Sequence, residues 1–250
     1  MKNKAKKIIQ TLVDAGFEAL VCGGAVRDLV MGVEPKDIDI VTSARPEDVE
    51  RLFKNTIPVG KAFGIIVVIV DGDQFECATA RKDSSDSDGR RPNSVEFTSF
   101  EEDAERRDLT INGMFFDILS NKIIDFVGGQ EDIKNKKIRF IGNAPERIEE
   151  DRLRIMRAVR FAAKFGFKME DETRDAIIAN AHRIHDVSPE RIKDELDKML
   201  LLENPSVALE VLLTLGLMEH IMPEVAALTR SEQSLKWHSE GSRVRKKIYL

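Results

Sequence analysis

Cysteine, tryptophan and tyrosine are nearly missing: two, one and one in 250 residues. Cys22 and Cys77 cannot build a disulfide framework, and both lie in apolar, strand-like runs, so they read as small core residues in a reducing compartment. No long hydrophobic run occurs either. The most apolar stretch, IIVVIV at 65–70, is far too short to span a bilayer. The opening MKNKAKKIIQTLVDAGF carries lysines but not the apolar core of a signal peptide. Its Ile8, Ile9, Leu12 and Val13 recur at helical spacing and Gly16 ends the run. A soluble, cytoplasmic protein with no membrane partner is expected. Positive charge is not in excess, the net being −5, so any contact with nucleic acid must come from a local patch. No internal repeat or low-complexity tract appears, and the chain carries no signal for its oligomeric state. At 42% hydrophobic residues it can build one large domain or two small ones.

The first half alternates strands and helices. A strand is expected at Ala19–Cys22, a helix from Ala25 to Met31 stopped by Gly32, and a strand at Asp37–Thr42. Pro46 starts a helix through Val49, Leu52 and Phe53. IIVVIV, DGD and QFECATA read as a hairpin turned at Asp71-Gly72. RKDSSDSDGRRPNS has almost nothing apolar to bury and is expected to be a mobile loop. MFFDI and KIIDF, joined across SNK, form another strand pair. From Ala144 the pattern is helices only, which puts a domain boundary near 142–146.

Within VCGGAVRDLVMGVEPKDIDIVT, two aspartates one residue apart enter an apolar strand. Residues two apart share a strand face, so Asp37 and Asp39 lie side by side while Ile38 and Ile40 face the core. Adjacent carboxylates repel unless a cation separates them, and a hard divalent ion, Mg²⁺ above all, is the natural partner. Two such ions would suit in-line phosphoryl transfer. Gly23 and Gly24 let backbone approach a phosphate chain at a helix start, and Arg27 adds a cation one turn on. Each feature alone has a plainer reading: a tight strand–helix turn, and a solvated edge strand. Together and in this order they favour a metal-dependent nucleotidyltransferase. Glu76 alternates with Phe75 and Cys77 onto a face of small residues, where it either completes the metal site or sits at a wet edge.

A second group lies at EEDAERRDLTING. Arg106, Arg107 and Asp108 are read as leading into a helix, with Thr110 and Asn112 following, and paired arginines can bind a triphosphate or fix a ribose. In IEEDRLRIMRAVRF, Asp151 and Arg154 are three apart on an expected helix and can reach one ligand. A carboxylate acceptor beside a guanidinium donor matches cytosine and adenine, which pair an amino donor with a ring-nitrogen acceptor, and rejects uracil and guanine. Alone, either group reads as ordinary helix ion pairs.

GGAVRD, DIDIVT, FECATARK, DGRRPNSVEF, ERRDLTING, EEDRLRIMRAVRFAAKFGF and SPERIKDEL stand in the order of one family. From about residue 8 to 225 the chain resembles bacterial class II tRNA nucleotidyltransferases, the CCA-adding enzymes, and their poly(A) polymerase relatives. The resemblance implies an α+β fold: a DNA polymerase beta-like head with a small mixed sheet at 1–142, a helical neck at 143–203, and the start of a helical body at 204–250. It implies Mg²⁺-dependent, template-independent addition of CMP and AMP from CTP and ATP to a tRNA 3′ end. Asp37 and Asp39 match the metal-binding carboxylates, and Gly23, Gly24 and Arg27 the triphosphate motif. Arg106, Arg107 and Asp108 match a motif for ribose and triphosphate, with Asn112 counted beside them; Glu150, Asp151 and Arg154 match EDxxR, whose Asp and Arg template the base. Arg191 and Glu195 match a later motif that stabilises the neck.

Departures are few. Ala80-Arg81 and Leu109 replace aromatic-bearing FR and RRDFT. Family members commonly run to about four hundred residues, and the ending RVRKKIYL departs from their pattern, as a truncation, a frameshifted end or a compact variant would. The loop 82–104 looks full length, which in this family goes with adding the terminal A. His185-Asp186 spells a phosphohydrolase dipeptide without its companion histidines and reads as a helix end; Arg243–Lys247 reads as a solvated tail. Rival readings are a poly(A) polymerase or partial CCA-adding enzyme, an RNA-binding module without turnover, and a small-molecule nucleotidyltransferase. The last shares GG and DxD but leaves RRD and EDxxR unexplained.

Overall fold

The computed structural model describes residues 1–60, 63–83 and 95–228, and the architecture is α+β. Two compact units divide it, the first formed by Met1–Asn135 with Arg139–Asn143, the second by Lys136–Ile138 and the residues from Ala144 onward.

The first unit runs α1 (Lys2–Asp14), β1 (Ala19–Cys22), α2 (Gly24–Val30), β2 (Asp39–Thr42), α3 (Pro46–Leu52), β3 (Thr56–Gly60), β4 (Ile65–Val70), β5 (Asp73–Thr79), β6 (Arg81–Asp83), β7 (Val95–Phe97), α4 (Phe100–Glu105), β8 (Phe115–Asp117), β9 (Lys122–Ile124) and α5 (Gly129–Lys134). Seven strands form a mixed sheet in the order β3-β4-β5-β2-β1-β8-β9. Only β2 and β5 pair in parallel. One face of the sheet, bearing Val21, Ile40, Ile66, Val68 and Phe75, is covered by α1, α2 and α3, which contribute Ile8, Ile9, Leu12, Val26 and Val49. Burying such aliphatic side chains stabilises a fold by about 1.5–3 kcal/mol each, which is why these short strands hold. The opposite face packs Leu20, Cys22 and Val41 against Ala104 of α4 and Phe115.

The β4–β5 hairpin turns where it was expected: Asp71 and Gly72 both take positive φ (48° and 82°), as a two-residue hairpin of the right twist requires. Two expectations for this unit need correction. Asp37 lies before β2 rather than in it, because β1 pairs Cys22 with Asp39 and then turns into α2, leaving no strand for Asp37 to pair with. Arg106 and Arg107 close a helix instead of opening one: Ser99 caps α4 by accepting from the Glu102 N–H, and only a single 3-10 turn, Thr110–Asn112, follows. Edge strand β3 and the β6–β7 pair were not anticipated at all.

The second unit contains β10 (Lys137–Ile138), α6 (Ala144–Glu150), α7 (Leu153–Phe165), β11 (Lys168–Met169), α8 (Asp171–Asn180), α9 (Pro189–Leu200), α10 (Pro205–Thr214), α11 (Met218–Ile221) and α12 (Pro223–Leu228). Its centre is α7, which buries Ile155, Met156, Val159 and Phe161 and packs on α9 and α10. It is not helices only, since β10 and β11 pair in parallel. The helical run expected from Glu146 to Phe165 also breaks, at Asp151 and Arg152, where the Asp151 carboxylate accepts from the Leu153 N–H. No described helix is long and apolar enough to cross a membrane.

Candidate active site

The candidate site of the first unit lies on one face at the end of its sheet. Strand register brings its members together: Cys22 is opposite Asp39 on one side and Phe115 on the other, and Ile40 is opposite Cys77, which sets Glu76 beside Asp39. Glu76 is exposed, next to half-buried Ala78. Asp39 keeps access to solvent, yet surrounding protein crowds it. That burial first, then the charges of Glu76 and Asp37, push its carboxyl up to about 6, with Arg107 opposing them. Glu76 and Asp37 therefore both bear on Asp39, although Asp37 lies outside the strands. Among the described residues no three His, Cys, Asp or Glu side chains are drawn close enough to hold an ion by themselves. Mutually repelling carboxylate oxygens are nonetheless the donor set a hard divalent cation takes, so the residues fit one.

The glycines explain how close a ligand can come. Gly23 has φ +69°, and a Cβ there would lie 3.5 Å from Arg107 Nη1 and 4.0 Å from Asp39 Oδ2. Its backbone thus runs between the carboxylate and the guanidinium. A Cβ on Gly24 would meet the Arg27 guanidinium at 3.4 Å. Arg27 is buried and held from two sides, its Nε and Nη2 donating to Asp28 Oδ1 and its Nη1 to Asn112 Oδ1.

Both arginines of the RRD run are oriented by one residue that sequence reasoning missed. Asp103 is 0% exposed, and each of its oxygens takes two donors from one guanidinium: Oδ1 from Arg106 at 2.9 and 2.7 Å, Oδ2 from Arg107 at 3.1 and 2.8 Å. The Arg81 N–H also donates to Asp103 Oδ1, at 3.2 Å. The sequence carries the signal, an acid three and four residues before two arginines, but solvated helix ion pairs share that spacing. Arg107 lies 5.2 Å over the Phe115 ring and beside Cys22. Burial raises the Cys22 thiol pKa and Arg107 partly offsets this. Asp108 accepts from the Leu109 N–H and from Asn112 Nδ2.

In the second unit, Asp151 and Arg154 are both half-buried, and each has a partner of its own. Asp151 Oδ2 accepts from Arg191 at 2.8 Å. Arg154 Nη1 donates to Glu150 Oε2 at 2.7 Å and to the Arg147 carbonyl at 3.1 Å. Glu195, 2% exposed, takes Arg160 and Lys198. His185 packs edge-on against His220 at 5.4 Å. Most of the loop within 82–104, at 84–94, lies outside the described residues, as do His238, the Arg243–Lys247 stretch and the C-terminal ending.

A family model described as "Poly A polymerase head domain" matches residues 19–139, and one described as "Probable RNA and SrmB- binding site of polymerase A" matches 166–229. The CCA-adding enzyme of Bacillus pumilus is 44% identical over 215 residues, covering 86% of this chain and 54% of its own. Among solved structures, the Bacillus stearothermophilus CCA-adding enzyme in complex with CTP has a TM-score of 0.79 at 41% identity, over 86% of this chain and 53% of that one. The Thermotoga maritima CCA-adding enzyme complexed with tRNA has a TM-score of 0.75 at 25% identity, over 89% and 52%. The chain spans about half the length of the curated relatives it matches.

Proposed function

Because the chain belongs to the family of class II tRNA nucleotidyltransferases and poly(A) polymerases, we propose that it adds CMP and AMP, from CTP and ATP, to the 3′ end of tRNA. The observation that carries this reading is the repelling Asp39–Glu76–Asp37 group beside the close-approach backbone of Gly23, with Arg107 across it. A pure binding module has no use for two carboxylates placed so that they raise the pKa of a third. Residues 1–142 are read as the catalytic head, 143–203 as the neck that selects the base, and 204–250 as the start of the body.

Asp37 and Asp39 would hold Mg²⁺, with Glu76 alongside. Bound there, the ion supplies charge neutralisation on the phosphates and a lowered pKa for the primer 3′-hydroxyl. Gly23 and Gly24 leave room for the triphosphate, and Arg27, Arg106 and Arg107 balance its charge without needing to be reordered, since Asp28, Asn112 and Asp103 already hold them. Asp108 faces the sugar. Asp151 accepts from the exocyclic amine of C or A, and Arg154 donates to the neighbouring ring nitrogen. Arg191 and Glu150 fix that pair's orientation. The attacking hydroxyl is deprotonated without a histidine base. Cys22 and Cys77, free and buried, suit a reducing cytoplasm.

The test is extension of a tRNA ending at the discriminator base, in Mg²⁺, with CTP and ATP supplied apart and together. Stepwise addition of C, C and A is expected, with none by Asp39→Ala. Two C residues alone, or a long A tail, would reassign the chain to a partial or polyadenylating relative. No incorporation at all would contradict the claim that these 250 residues work unaided.

A further inference from the structure

We infer that Asn112 is a positioning residue that sets the sugar-facing carboxylate of Asp108 by anchoring it to the phosphate-facing cation Arg27. The inference rests on the nucleotidyltransferase reading above.

Asn112 is 8% exposed and Asp108 9%, so neither amide nor carboxylate can be satisfied mainly by water. Arg27 has only donors to offer, so the Asn112 carbonyl must face it, and Oδ1 accepts from Arg27 Nη1 at 2.7 Å. That choice leaves Nδ2 pointing the other way, where it donates to Asp108 Oδ1 at 3.3 Å. The same oxygen accepts from the Leu109 N–H at 2.7 Å. Asp108 Oδ1 thus takes two donors, and Asn112 is the one of the two that comes from a side chain. Arg27 also donates to Asp28, so Asn112 and Asp28 together hold its guanidinium. A side-chain amide serves a cation and an anion at once, its oxygen accepting from the first and its nitrogen donating to the second. An ionised carboxylate, which only accepts, cannot do this. Asn112 therefore couples the Gly-Gly segment to the RRD segment, 85 residues apart in sequence. Its role is orientation, since its own polar atoms are taken by protein.

Asn112→Asp separates the two halves of this role. The new carboxylate keeps the shape and still accepts from Arg27, but it has no donor for Asp108 and repels it. Asp108 should turn away while Arg27 stays. Binding of CTP and dCTP, each with Mg²⁺, is measured by calorimetry for the unaltered chain and the variant, with thermal melting of both. The unaltered chain should prefer CTP. In Asn112→Asp that preference should fall about tenfold, through weaker CTP binding, while dCTP binding changes by less than about threefold, a split that a lost buried hydrogen bond can produce. Asn112→Ala, which releases Arg27 as well, should weaken CTP and dCTP together. An unchanged CTP preference in Asn112→Asp, or equal loss for both nucleotides, would overturn the inference and leave the nucleotidyltransferase reading standing. Failure of the unaltered chain to bind CTP would overturn both. Should Asn112→Asp melt early, Asn112→Gln replaces it: the lengthened amide misplaces the same donor, and a retained preference there counts against the inference equally.

Discussion

Replacing Asp39 with asparagine will stop nucleotide transfer and make the ligand-free protein more stable. The first effect follows from removing a charge from the only group of coupled carboxylates at the sheet end among the described residues. A fall of at least about a thousandfold in CMP incorporation is expected where an oxygen ligand of a catalytic ion is lost. The second follows from the carboxyl pKa of about 6, set by burial and by Glu76 and Asp37 against the opposing Arg107. In an unfolded chain an aspartate titrates near about 3.9. The folded state thus takes up the proton more readily, and the ionised side chain costs stability at any pH above its folded pKa. That cost shrinks as pH falls through 6 and is gone below about 4. Two units would correspond to nearly 3 kcal/mol for a dry site, but Asp39 is reached by solvent, and about 1 kcal/mol is the discounted expectation. Thermal melting at pH 7.5 without divalent ions should therefore rise by a few degrees in Asp39→Asn. Adding Mg²⁺ should stabilise the unaltered chain and not the variant. A variant less stable than its parent would show that Asp39 holds the fold together and is not a strained functional group.

Asp103→Ala should have the opposite character, a large loss of stability. Here burial also opposes the charge, but the Arg107 and Arg106 guanidiniums outweigh it and hold the carboxyl below its usual range. Truncating it leaves two guanidiniums facing each other around an apolar gap, beside Phe115 and Ala104. Breaking a buried ion pair from one side costs about 3–5 kcal/mol, a large share of the 5–15 kcal/mol that holds a typical domain folded. The urea midpoint should drop accordingly, with Asp103→Asn nearly as damaging because its amide would turn two donors toward two donors. The pH dependence also runs the other way from that of Asp39. Stability from Asp103 is complete above its unfolded value of about 3.9 and is lost as pH falls through its lower folded value. An unfolding free energy within about 0.5 kcal/mol of the parent's would mean that the two arginines find other partners, and that Asp103 does not preorganise them.

The contrast between these residues shows what a sequence can carry. Asp39 was legible because strand alternation is a strict period: Ile38 and Ile40 are buried and Asp39 is not, whatever surrounds them. The Asp71-Gly72 turn was legible for a similar reason, since backbone chemistry alone specifies it. Asp37 was misplaced because whether a residue belongs to a strand depends on a partner, and β1 leaves the sheet at Gly23. Asp103 was passed over because an acid on a charged helix looks the same whether it faces water or the interior; tertiary packing decides, and here it leaves the side chain at 0% exposure. Asp151 shows the reverse case. Its run has unbroken helical spacing, yet its short side chain captures the Leu153 N–H and interrupts the helix. The β6–β7 pairing joins segments separated by eleven residues that have no strand pattern, so nothing local announces it.

Calorimetric titration of CTP into the unaltered chain, with Mg²⁺ and then with EDTA, tests most directly that the carboxylates and glycines of the first unit form a nucleotide site. Binding in Mg²⁺ that weakens at least about tenfold in EDTA, and that Asp39→Asn loses to the same extent with Mg²⁺ present, is the result expected where an oxygen-ligated ion bridges protein and phosphates. CTP binding of equal strength with and without the ion, unaffected by Asp39→Asn, would contradict it.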